Sequence, residues 1–148
     1  MKKLFLSSAI ALFTMTVNAQ HIQSHHDSLA HHHAKVKEHA TKIINGEAKT
    51  KEEQTKHAEA ASKHLEHAKE AHENLKKAIP ADKKEASKPH HLAIEKHHAE
   101  ATTHAKALKE ELKKPTPDQA KVKEHAKKMH ESIEKAEKEH ELLKEKKK

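Results

Sequence analysis

Residues 22–43, IQSHHDSLAHHHAKVKEHATKI, decide the fold. Ile22, His26, Leu29, His33, Val36, Ala40 and Ile43 recur at alternating spacings of four and three, which places them on one stripe of a helix. Beside that stripe His25, His32 and His39 form a second line at intervals of seven. A soluble bundle helix ordinarily keeps hydrocarbon on its seam. Here imidazole alternates with it.

The same pattern returns downstream. His91, Ile94, His98, Ala101, Ala105, Leu108 and Leu112 form a seam flanked by His90, His97 and His104, so five histidines repeat at an offset of 65. A further seam runs Val122, Ala126, Met129, Ile133, Ala136, His140, Leu143. Residues 66–78, EHAKEAHENLKKA, align with residues 124–136, EHAKKMHESIEKA, at an offset of 58, one heptad less. The sequence therefore predicts an all-α chain: an antiparallel up-down four-helix bundle built as a duplicated helical hairpin.

Punctuation agrees with four helices of Ala, Lys, Glu and Leu, all strong helix formers. Asn45-Gly46 ends the first, and Thr50 with Glu53 makes a capping box for the second. Pro80 closes the second helix. The third begins between Asp82 and Pro89, with Pro89 best placed in its first turn and a helix starting at Asp82 and kinked at Pro89 as the alternative, and Pro115 ends it. Thr116 is the expected N-cap of the fourth, with Pro117 at its first position and Gln119 at its third. Connections this short make neighbours antiparallel.

Residues 1–19 read as a secretory signal: Lys2 and Lys3, the apolar run from Leu4 to Val17, and the small-residue end at Ala19. Cleavage before Gln20 leaves residues 20–148 as one His-rich domain in a periplasmic or extracellular space. No second apolar stretch reaches the ~20 residues of a membrane span, and no cysteine can carry a lipid anchor. Loss of Lys2 and Lys3 lowers the formal charge from +7 to +5. All cations are lysine, so arginine's bidentate fork for phosphate is missing, and aromatic stacking surface is nearly absent. These features exclude nucleic acid as the partner.

The chain has 19 histidines. Imidazole is the commonest protein ligand for zinc, copper, nickel and iron, so a regular array of it points to transition metals. With a rise of ~1.5 Å per residue, antiparallel helices sort the histidines into three tiers. One holds His25, His26, His72, His90, His91 and His140; the next holds His32, His33, His64, His67, His97, His98 and His130; the last holds His39, His57, His104 and His125. Each tier draws on all four helices. His26, His33, His57, His64, His91, His98 and His140 are read as seam residues and the rest of the set as flanking ones. His21 and His31 read as ordinary exposed polar residues. The Lys and Glu runs read as a solvated face.

Lys56-His57-Ala58-Glu59-Ala60-Ala61, the run from Lys63 through His64 and His67 to His72, His97-His98-Ala99-Glu100-Ala101 and Thr103-His104-Ala105-Lys106-Ala107 resemble the small metal-binding proteins. The resemblance spans roughly His25 to Leu143. It implies an exported, His-rich four-helix bundle that binds divalent metal, notably copper. The chain departs from that family in using proline where the family favours glycine at turns, and in longer, more lysine-rich helices.

Only Met129 offers a thioether after residue 19, so the donor set disfavours Cu(I) and suits Cu(II) first, then Zn(II), Ni(II) or Co(II). The expected role is buffering, scavenging or delivery, with a metal exporter or metallochaperone as protein partner and no catalysis. Haem is not expected, because Cys-x-x-Cys-His is absent. Two alternatives stand beside this: a periplasmic helical chaperone or stress-response interaction protein, and a di-iron carboxylate enzyme built on Glu95-x-x-His98 and Glu137-x-x-His140.

Overall fold

A computed structural model describes the backbone of residues 7–145 and the side chains from residue 19 onward. Among the described residues there are four helices and no strand: α1 (Ser7–Ile44), α2 (Lys51–Ala78), α3 (Ala81–Lys113) and α4 (Gln119–Glu145). Helix α1 packs most closely on α2 and α3 on α4, and the α1/α4 and α2/α3 contacts close the square. His32 and His39 meet His64 and His57, while His90 and His104 meet Glu139 and His125, so the partners in each hairpin run antiparallel. The expected export segment falls outside the described side chains. Where its backbone is described, from Ser7, it continues α1. No described helix is long and apolar enough to cross a membrane.

The helix ends follow local chemistry. Gly46 takes φ +73°, and the amides of Gly46 and Glu47 return to the carbonyls of Ile43 and Lys42, closing α1. Thr50 Oγ1 accepts from the Glu53 amide while the Glu53 carboxylate accepts from the Thr50 amide, the reciprocal box expected. Two other expectations are corrected. Asp118, not Thr116, caps α4: its Oδ1 accepts from the amides of Ala120 and Lys121, and a carboxylate suits the positive end of the helix. Helix α3 starts at Ala81, leaving Pro89 inside it. Residues 81–86 are all exposed, so the carbonyl that Pro89 cannot bond is left to water.

The duplication is present, with one register changed. Seam positions 22, 26, 29, 33, 36, 40 and 43 of α1 are buried, and so are 87, 91, 94, 98, 101, 105 and 108 of α3, each 65 residues on. In α2, Ala58, Ala61, Leu65, Ala68, His72 and Leu75 correspond to Ala126, Met129, Ile133, Ala136, His140 and Leu143 of α4. That offset is 68, not 58. Lysine- and alanine-rich sequence permits both alignments, but the longer one matches buried with buried at all six of these positions, whereas the shorter one sets buried His72 against half-buried His130. It also corrects the seam of α2: His72 is buried, and His57 and His64 are half-buried beside it.

Gly46→Ala should cost about 1–2 kcal/mol, because left-handed φ strains any Cβ although the space around it is open. Thr50→Ala should cost about 1 kcal/mol through the lost cap. Urea denaturation by circular dichroism measures both.

Candidate metal centre

Six histidines are buried among the described residues: His26, His33, His72, His91, His98 and His140. They pair with one another. His26 Nδ1 lies 2.7 Å from His140 Nε2, His33 Nε2 2.7 Å from His98 Nε2, and His72 Nε2 2.9 Å from His91 Nδ1. At such distances one ring nitrogen donates its hydrogen to the lone pair of the other. Ring centroids 6.3 Å apart join His33 to His140, and 5.8 Å apart join His98 to His72, so the pairs form one chain of imidazoles through the bundle. The duplication maps this chain onto itself. His26 and His140 correspond to His91 and His72, and His33 to His98.

A second group runs along the α1/α2 face. His32 Nδ1 is 3.1 Å from His64 Nδ1, and His39 Nδ1 is 3.0 Å from His57 Nδ1. His39 also stacks on His64 and His67 meets His32 edge-on, making a ladder. His31, read from sequence as an isolated polar residue, joins it with its ring 5.2 Å from that of His32. On the opposite face His104 stacks on His125 at 5.9 Å.

The remaining candidates are not brought together. His90 bonds Glu139, His97 bonds Glu100 and His130 lies 3.7 Å from Glu134. His25 is half-buried. Each histidine pair joins residues of one expected tier, so the heights hold; what is corrected is the convergence of all four helices, because the flanking histidines meet only along their own hairpin. In the two Glu-x-x-His elements, Glu95 is paired with Lys76 and Glu137 with Lys37.

Burial sets the charge state of the core. It holds His33 far below the usual imidazole range, aided by the neighbouring His98 and His140, and it takes His72 down to about 4 and His98 to about 3. His91 is lowered for the same reason, and on the outer faces so are His32, His39, His64 and His104. Neutral imidazoles are the form that ligates metal. Several ring nitrogens also lack protein partners: His33 Nδ1, His91 Nε2, His104 Nδ1 and His125 Nδ1 are buried and unbonded. Two nitrogens bound to one ion at ~2.0–2.1 Å sit roughly 2.9–3.4 Å apart, so the observed pairs need to open by only a few tenths of an ångström to clasp an ion. Access exists between α2 and α3, where a groove of about 440 Å³ reaches His72 and His98.

Compared with known proteins, the chain matches no family model, no curated protein and no solved structure.

The unfolded chain takes up protons near the ordinary histidine value of ~6.5, whereas folded His72 and His98 refuse them until about 4 and about 3. Their contribution to stability is therefore complete above pH ~6.5 and is lost as pH falls toward 4. Urea melts of metal-free protein should show stability flat above pH 7 and several kcal/mol lower at pH 5, where an unchanged midpoint would contradict buried neutral imidazoles. In the same assay His33→Leu alone should cost about 1–3 kcal/mol by stranding His98, and the double change with His98→Leu should be near neutral.

Proposed function

We propose that this protein is an exported binder of several divalent transition-metal ions, held by histidine pairs on its helices. The observation that carries this reading is the choice of partner. In a chain full of lysine, glutamate and threonine, five pairs of histidines place ring nitrogens 2.7–3.1 Å apart, facing one another. A fold that needed only to satisfy buried imidazoles would use hydroxyls or backbone carbonyls. Once the shared hydrogen leaves such a pair, both nitrogens offer a lone pair to the same small volume, which suits a cation.

The donor chemistry orders the metals. Met129 is buried in the hydrocarbon cluster with Ala126 and Ile133, which argues against thioether ligation and Cu(I). Imidazole with occasional carboxylate favours Cu(II), with Zn(II), Ni(II) and Co(II) behind it. Many similar two-nitrogen sites, each adjustable by side-chain rotation, fit buffering, scavenging or delivery to an exporter or metallochaperone better than catalysis.

Saturating Cu(II) at pH 7.5 should raise the thermal midpoint by several degrees or more, since a ligand at a hundredfold excess over its Kd adds roughly 2.7 kcal/mol, and EDTA should reverse the shift. Native mass spectrometry should count more than one ion per chain, and fewer at pH 5, where protons compete for imidazole. Identical melting curves with and without metal would refute the reading.

A further inference from the structure

The cleft between α2 and α3 contains donors of another kind. His72 and Glu73 on α2 and Glu95 on α3 each bring a ligand atom within 4.8 Å of the other two, and among the described residues no other three His, Asp or Glu side chains converge so closely. His91, one turn before Glu95, joins them through its 2.9 Å contact with His72. Its Nε2 has no partner although the residue is only 6% exposed, and it lines the same groove as Glu73 and Glu95. A buried imidazole nitrogen without a partner, lining one groove with two carboxylates, can serve a cation as ligand in the tautomer that leaves its lone pair free.

A cation of the protein's own already occupies the mouth. The Lys76 ammonium lies 3.1 Å from Glu73 Oε1 and also bonds Glu95. Its side chain is 35% exposed, so it can leave the cleft by rotating into water.

We propose that this cleft is a mixed carboxylate and imidazole site for a divalent cation, ligated by Glu73, Glu95, His72 and His91, and closed by Lys76 until the ion displaces it. The inference rests on the metal-binding reading above and adds a site whose chemistry differs from the imidazole pairs. A pair of imidazoles leaves the full charge of the ion beside a lysine-rich surface. Glu73 and Glu95 neutralise it. Carboxylate oxygens also admit harder ions that purely imidazole sites hold poorly. Lys76 is a tethered competitor: any ion must break its two ion pairs and tolerate its charge nearby, so weakly bound cations are kept out.

Mn(II) is the probe, because it prefers oxygen donors and is paramagnetic. Added to the full chain at pH 7.5, it should broaden the amide resonances around residues 73, 76, 91 and 95 first, with binding read independently from the loss of the free Mn(II) EPR signal. Lys76→Met keeps the apolar stem and removes the charge; it should tighten Mn(II) binding roughly fivefold to tenfold. Glu95→Gln should weaken it about tenfold or more. His32→Ala with His64→Ala, on the other face, should leave it unchanged. Broadening scattered over surface glutamates, or affinity indifferent to Lys76 and Glu95, overturns the proposal, and if Cu(II) still binds in that case the imidazole-pair reading survives. Failure of both Cu(II) and Mn(II) to bind removes both. The wild-type broadening map decides the matter even if a substitution disturbs folding.

Discussion

The structure depends on the hydrogen bond between two neutral imidazoles inside a helix seam. Burying a polar ring without a partner costs more than a bundle of alanine and a few leucines can offset. One N–H donated to one lone pair removes most of that cost for two rings at once. The condition is neutrality, because a second proton would set two N–H groups against each other. Burial and the low states of His72 and His98 therefore express a single constraint. The proposed metal binding would meet the same constraint differently, by placing a cation where the shared hydrogen had been.

Hydrocarbon and imidazole are divided along the bundle. Val36, Ile43, Leu65, Leu108, Leu112, Val122, Met129 and Ile133 belong to one cluster at the end holding the α1/α2 and α3/α4 connections. The smaller cluster at the other end has Ile22, Leu29, Leu75, Ile94 and Leu143, and the buried histidines alternate with these. One half of the bundle thus supplies stability by apolar burial, and the other carries most of the polar chemistry. Small shifts of helices at the histidine end leave the hydrocarbon end packed.

Much of this was legible in the sequence, and the misses have physical causes. The seams of α1, α3 and α4 show themselves because Ile, Leu, Val and Met mark them. In α2 alanine occupies so many positions that only Leu65 and Leu75 fix the face, and His72 was assigned to the wrong side of it. The capping box at Thr50 and the stop at Gly46 follow from local chemistry and needed no tertiary information. Asp118 competes with Thr116 for the same cap, and two residues decide between them only through the geometry of the preceding turn. The tiers give the right heights, as the pairs show, but not the convergence of four helices, because height along an axis does not say which way a side chain faces. Glu73 reads with the solvated Lys and Glu surface and Glu95 only as part of the di-iron alternative with His98; the signal for the cleft is the spacing of four between His91 and Glu95, which places both on one face of α3.

Internal symmetry explains why the two faces of the bundle differ. The core chain of imidazoles obeys the duplication, with His26, His33 and His140 repeated as His91, His98 and His72. The outer ladder does not. His39 and His57 recur as His104 and His125, but the position matching His64 is Ser132, and His97, which matches His32, turns to Glu100. A residue in the seam has to satisfy partners on other helices, so replacing one imidazole strands another. Ser132 is buried but bonds the Lys128 carbonyl of its own helix, so it strands no partner on another. The inner array is therefore constrained as a unit, while the number of outer histidines is free to vary, which lets the capacity of the surface change without disturbing the bundle that carries it.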